Sequence, residues 1–247
     1  MLKVILVASG KGGTGKTSLT AGVGAALAQA GQRVLLIDGD CGLRNLDIVL
    51  GMSDRVVYSF ADVAGGAVML CDAMARHPVY ENLYLLTAPV ALPALSERGM
   101  EQLAVQAEEA AFDYLLIDGP AGLPAELSWL AHISTQAIIV TATDRACIRG
   151  AERCARKLEE EYCIQRIRMV LNRVRPQMIC RGQSANIDDA MDEAGLPLLG
   201  LVPEDEDLIV CGNSGNSILS VKRSGASHAF QNIARRLEGE RVPLMKI

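Results

Sequence analysis

Val4-Ile5-Leu6-Val7-Ala8-Ser9-Gly10-Lys11-Gly12-Gly13-Thr14-Gly15-Lys16-Thr17 stands almost at the start of the chain and decides how the rest is read. An apolar run meets a glycine loop, and the loop opens into a helical pattern from Lys16 to Ala30. Two spellings overlap in it. Gly10, Gly15, Lys16 and Thr17 satisfy G-x-x-x-x-G-K-[ST], which predicts a nucleoside triphosphate. Gly10, Gly12 and Gly15 satisfy G-x-G-x-x-G, which predicts a dinucleotide. The physics is common to both: glycines turn successive N–H groups inward onto an anion, and the helix start adds its dipole.

The dinucleotide reading has support from Asp38, which ends the second apolar run about where a ribose-binding carboxylate would sit. Lys16 and Thr17 decide against it. A lysine after the last glycine brings positive charge to the β- and γ-phosphates, and the adjacent hydroxyl is a ligand for Mg²⁺. A triphosphate site then requires a second strand-end acid. Tyr114-Leu115-Leu116-Ile117-Asp118 supplies it.

Working outward, near-continuous apolar runs predict strands at Lys3–Ser9, Arg33–Ile37, Asn82–Leu86, Tyr114–Ile117, Ala137–Thr141, Arg168–Leu171 and Leu198–Leu201. Such runs suit strands buried on both faces. With helical patterns between them they predict one domain over residues 1–247, a doubly wound, mostly parallel α/β sheet with helices on both faces. Ser96 precedes a helical run to Ala111, Asp144 precedes Cys147–Tyr162, and Gly31 stands where a helix from Leu19 to Ala30 wants a left-handed cap. The last helix, about Ala226 to Glu238, carries Ala229, Phe230, Ile233 and Leu237 on one stripe, which predicts docking on the sheet.

Composition narrows the function. The net charge of −5 and 4% aromatic content weigh against broad DNA binding and against stacking platforms for single strands. A net figure does not speak to a local basic patch. Seven scattered cysteines with no C-x-x-C pair read as reduced thiols, and three distant histidines fit no zinc spacing. No apolar run approaches a membrane span, and the N-terminus has no leader-like pattern.

Two features exceed a generic phosphate loop. Lys11 places a second lysine beside the phosphates, where like charge opposes Lys16. It becomes useful when it faces a partner subunit's triphosphate in the manner of an arginine finger. A solvent lysine is the plain alternative. Asp38-Gly39-Asp40 places two carboxylates at one strand end, one for the Mg²⁺ shell and one to orient a water.

Lys11–Thr17 resembles the deviant Walker A loop of the MinD/ParA family of ATPases, SIMIBI-type P-loop NTPases. Leu36–Asp40, Gly42–Asp47, Arg55–Tyr58, Asp118–Gly122, Val202–Asp205 and Ala234–Pro243 are similar to the MinD branch in particular. The resemblance implies ATP as substrate and Mg²⁺ as cofactor. It implies that Gly10, Lys11, Gly12, Gly13, Thr14, Gly15, Lys16, Thr17 and Ser18 hold the phosphates. Thr17, Asp38 and Asp118 lie at the metal, Lys11 crosses an ATP-dependent homodimer interface, and Asp40 positions the attacking water. Asn172 and Arg173 lie where the family reads adenine, with Pro203, Glu204 and Asp205 near the base. It implies a cytoplasmic spatial switch in division-site selection, with MinC- or MinE-like regulators or other cargo, and DNA disfavoured.

This sequence departs from the family pattern at two places. Gly119 stands where a serine is usual. After Pro243 only Leu244-Met245-Lys246-Ile247 follow, too few for the basic amphipathic tail helix of MinD proteins. Weak or no ATP-dependent sedimentation with anionic liposomes is expected on that ground, with peripheral placement at the membrane left to partners. A MinD-like paralogue serving a flagellar or assembly cargo and a partitioning ATPase are the alternative functions. Iron–sulfur carriers of the same fold want paired interface cysteines, which this sequence lacks.

Overall fold

The computed structural model describes residues 1–41, 43–91, 95–122, 124, 128–221 and 224–245. Gly42 of the Gly42–Asp47 segment and the terminal Lys246-Ile247 therefore lie outside the described residues. Eight strands form one sheet: β1 (Lys3–Ser9), β2 (Val34–Asp38), β3 (Ala75–Arg76), β4 (Leu83–Leu86), β5 (Tyr114–Ala121), β6 (Gln136–Thr141), β7 (Arg166–Val174) and β8 (Leu198–Pro203). Their spatial order is β3-β4-β2-β5-β1-β6-β7-β8. Every neighbouring pair is parallel except β3 with β4. All seven expected strands are present. The two-residue β3 was not expected, because Ala75-Arg76 is too short to carry a periodicity.

The helices are α1 (Lys16–Gln29), α2 (Leu46–Val49), α3 (Phe60–Ala64), α4 (Leu70–Ala73), α5 (Glu97–Glu109), α6 (Ser128–His132), α7 (Arg145–Tyr162), α8 (Pro176–Cys180), α9 (Ile187–Ala194), α10 (Glu206–Ser214) and α11 (Gly225–Leu237). The chemical boundary signals hold. Ser96 accepts from Gly99 N and caps α5, Asp144 accepts from Cys147 N and caps α7, and Gly31 takes φ +93° beyond the end of α1.

Strand residues alternate between two cores, as the pleat requires. Val4, Leu6 and Ala8 of β1 face Phe60, Met100, Leu103, Trp129 and Leu158 on one side. Ile5 and Val7 face Leu19, Val23, Leu27, Phe230 and Ile233 on the other. Helix α1 is buried nearly all round because α11 covers its outer side. Gly22 makes this possible, since a Cβ there would sit 2.2 Å from the Phe230 ring.

The order places the site. From β1 the chain crosses to β2 on one side of the sheet, whereas β6 follows on the other. Open α/β sheets bind ligands outside the carboxyl ends of their strands at such a switch point. The glycine loop leaves β1 there, and Asp38 and Asp118 end up as direct cross-strand neighbours beside it.

Candidate nucleotide-binding site

The loop from Ser9 to Gly15 is tied to the sheet at several points. Ser9 Oγ donates to Lys11 O at 2.8 Å, and Gly122 N donates to Ser9 O at 2.8 Å. Gly13 and Gly15 have φ of +77° and +91°, where a side chain is strained. Gly10 is required for a different reason: a Cβ there would lie 2.0 Å from the Gly150 backbone of α7. Gly15 delivers the chain into α1, so Lys16 and Thr17 stand in its first turn.

Lys16 is buried, and Thr17 hydrogen-bonds the Asp118 carboxylate. A residue that sequence reasoning passed over completes this group. Thr20, one helical turn after Lys16, is fully buried, with its hydroxyl 3.0 Å from Lys16 O and 3.4 Å from Asp118 Oδ1. Its only sequence signal is the i+4 spacing from Lys16. Asp38 is equally buried and organises the loop that follows β2. Its Oδ1 accepts from Asp40 N at 3.1 Å and its Oδ2 from Leu46 N at 3.0 Å. Asp40 is half-buried on that loop, and its Oδ1 accepts from Leu43 N at 3.3 Å.

Asp38, Asp40 and Lys16 are all near enough to Asp118 for their charges to act on it. Burial pushes the Asp118 carboxyl up to about 7, aided by the charges of Asp38 and Asp40 and opposed by Thr17 and Lys16. Burial likewise lifts Asp38 to about 6, against the two backbone hydrogen bonds. Acids raised by burial and by neighbouring carboxylates are groups that a cation would return to the charged form. Among the described residues no three His, Cys, Asp or Glu side chains are grouped to cage a metal. Mg²⁺ takes one or two protein ligands, keeps waters and uses substrate phosphates for the rest, and the Thr17 hydroxyl on Asp118 with Asp38 beside it offers such a set. The residues present fit it.

Beside the loop lies a cleft of about 460 Å³. Gly12, Gly13, Gly15, Lys16, Thr17 and Ser18 form its floor, with Asp40 on one side and Arg173 on another. Leu208, Ile209, Gly212 and Asn213 of α10 make a wall that sequence reading did not anticipate. No local signal marks it, since the wall exists only because α10 crosses over α2. Their helix ends meet at Gly51 and Gly215, where a Cβ on Gly51 would lie 2.3 Å from Gly215 O. Leu43 and Ile209, which also line the cleft, are 69% and 65% exposed, so apolar side chains stand open to solvent beside it.

The residues expected at the base stand in different surroundings from one another. Arg173 reaches the cleft, whereas Asn172 is buried and donates from Nδ2 to Thr14 O at 2.7 Å. Glu204 pairs with Arg175. Asp205 caps α10 and receives Ser224 Oγ at 2.6 Å and Ala226 N at 3.0 Å, so it joins the starts of α10 and α11. Pro203 packs against Gly225. None of these three lines the cleft, which α10 walls a few residues later.

Lys11 is exposed at the loop's outer edge. Burial alone would raise the Asp144 carboxyl, but hydrogen bonds from Cys147 and the charge of Lys11 hold it below the usual range. On the far side of Lys11 runs a groove of about 790 Å³ whose charged lining is Lys11, Arg145, Arg149, Arg153 and Lys157. Four of these cations repeat every fourth residue along α7 and so share one face. The net charge of −5 conceals this local patch. Gly119 also finds its reason here: a Cβ would stand 2.9 Å from Val7 O, and the strand continues past it to pair Ala121 with Ser9.

A glycine loop on a switch point, a buried lysine and a hydroxyl bonded to a strand-end acid define a P-loop nucleotide-binding protein. The comparisons narrow the class. The family described as the CobQ/CobB/MinD/ParA nucleotide binding domain matches residues 5–218, and the chain belongs to it. The septum site-determining protein MinD of Synechocystis sp. is 40% identical over 99% of this chain and 92% of its own. Among solved structures, the MinC:MinD cell division protein complex of Aquifex aeolicus matches with TM-score 0.90 and 35% identity, covering 99% of this chain and 98% of that one. The septum site-determining protein MinD of Pyrococcus horikoshii, complexed with Mg-ADP, matches with TM-score 0.84 and 30% identity, covering 96% of each chain. No helix among the described residues is long and apolar enough to cross a membrane.

Proposed function

We propose that the protein is a MinD-type ATPase which binds ATP with Mg²⁺, pairs with a second copy, and returns to the monomer on hydrolysis, acting in division-site selection. The observation that carries this is the convergence of Lys16, Thr17, Asp118 and Asp38 under a loop in which Gly13 and Gly15 adopt left-handed backbone. Thr17, Asp118 and Asp38 are the residues that would hold Mg²⁺, which when bound offsets phosphate charge. Lys16 neutralises the transferring phosphoryl group, and the loop amides orient it. Asp40, on the cleft wall across from the loop, orients the attacking water. Lys11 is exposed and outside the cleft, a position suited to a partner subunit's triphosphate rather than its own. Nucleotide caught between two copies would also cover the apolar side chains of Leu43 and Ile209. A MinC-type protein is the regulator best supported, through the resemblance to the Aquifex complex.

The test is size-exclusion chromatography coupled to a phosphate-release assay. With Asp40→Ala, ATP is expected to hold a stable dimer while turnover falls by roughly 10²-fold, in line with loss of a general base. Wild-type turnover in Asp40→Ala would remove the water-orienting role. A wild-type protein that stays monomeric with saturating ATP would remove the dimer switch.

A further inference from the structure

Asn172 and Arg173 are adjacent, yet one is buried and the other exposed at the cleft. Alternation along β7 separates them, and the strand is also irregular at this point. The β7–β8 register shifts between Leu171 and Val174, and Arg173 sits at φ +54°, left-handed backbone that a non-glycine residue rarely adopts. Bulges of this kind re-aim side chains beside functional sites, and such strain persists only where its surroundings enforce it. The buried side chain beside it is Asn172, 3% exposed, whose Nδ2 donates to Thr14 O at 2.7 Å. The fit is close: a Cβ on Gly15 would lie 2.2 Å from that nitrogen.

We propose that Asn172 is a positioning residue for the phosphate loop, acting through the Thr14–Gly15 peptide. A trans peptide is planar, so its C=O and N–H point in opposite directions. Drawing Thr14 O onto Asn172 turns the Gly15 N–H away from Asn172, toward the side where Gly15 lines the nucleotide cleft. A donor held this way needs no reorganisation when the anion arrives, which is where preorganised amides gain their strength. The Thr14 bond uses only one of the four hydrogen-bonding positions of an asparagine amide, so a base contact is compatible with it. The bulge at Arg173 thereby links the base side of the cleft to its phosphate side. This role rests on the nucleotide reading above and goes beyond the base contact that the family resemblance implies.

Inorganic tripolyphosphate separates the two roles, because it has the phosphates and no base. Calorimetric titration of ATP and of tripolyphosphate, each with Mg²⁺, is carried out on wild-type protein, Asn172→Ala and Asn172→Ser, with thermal melts to show that each variant is folded. The serine variant keeps a small polar group at the site and serves if the alanine variant does not fold. Both ligands are expected to weaken by about tenfold and by the same factor, as for loss of a buried hydrogen bond. In ligand-free protein, amide exchange is expected to quicken at Gly15 and Lys16 but not along β7 and β8. The proposal is overturned if ATP weakens while tripolyphosphate binds as in wild type, which would leave Asn172 a base contact alone. It is overturned equally if neither ligand weakens, or if exchange quickens throughout β7 and β8, which marks general loosening. Wild-type protein that binds neither ligand would instead sink the nucleotide reading.

Discussion

Lys16→Ala is expected to lower ATP turnover by roughly 10³-fold, the scale seen when a single preorganised charge is removed from a phosphoryl-transfer site. Two effects combine. The ammonium no longer meets the β- and γ-phosphates. The acids also lose a nearby cation, since Lys16 is among the groups that hold the Asp118 carboxyl down against burial. Asp118 should therefore take up its proton at still higher pH and become a poorer ligand for Mg²⁺. Steady-state kinetics with equilibrium ATP binding would check this. Turnover within tenfold of wild type would mean that Lys16, although buried in the loop, is not at the reacting phosphates.

The second large effect has the opposite sign on stability. Asp118→Asn is expected to stabilise the metal-free protein at pH 8 by about 2 kcal/mol, or roughly 5 °C in melting temperature, while abolishing Mg²⁺-dependent hydrolysis. Both Asp118 and Asp38 are raised above their ordinary value of 3.8, to about 7 and about 6. Between pH 4 and 7 the folded chain consequently binds more protons than the unfolded chain. Stability from this pair is fully present at the acid end, falls as pH rises through that window, and levels off above it. An asparagine carries no charge to desolvate, so the variant should lose most of that decline. Melting curves from pH 5 to 8 in chelator would show the difference, and a variant melting below wild type at pH 8 would contradict it. The same measurement with Mg²⁺ and nucleotide should narrow the gap, because charge compensation then favours the aspartate. Stability given up at a buried acid pair is the expected signature of a site built for a cation.

Much of this was legible in the chain because the signals are local. Lys3–Ser9 and Tyr114–Ile117 are apolar on both faces, and only strands with helices on either side use such runs. The turn from β1 into α1 is dictated by glycine, since Gly13 and Gly15 adopt backbone that other residues avoid. Asp38 and Asp118 could be marked in advance because each follows an apolar run; β2 does end at Asp38, whereas β5 runs on past Asp118 to Ala121. The two-residue β3 and the five-residue α8 were not legible, since segments so short carry no period. The side of the cleft was also hidden. So were the partners of the residues expected near the base: Glu204 pairs with Arg175, and Asp205 accepts from Ser224 and Ala226.

The sequence by itself determined the loop, its lysines and its strand-end acids, and hence the chemistry. Those residues act through backbone conformation and spacing along the chain, which a sequence records directly. Tertiary structure alone decided which groups meet. It buried Asp118 and Asp38 and so raised both, placed Thr20 under Asp118, laid α10 across α2 to wall the cleft, and brought Asn172 of β7 onto Thr14. It also gathered the α7 cations and Lys11 into one groove in a chain whose total charge is negative. Desolvation and cross-element contact depend on what lies beyond a residue's own neighbours, and no periodicity in the chain encodes that.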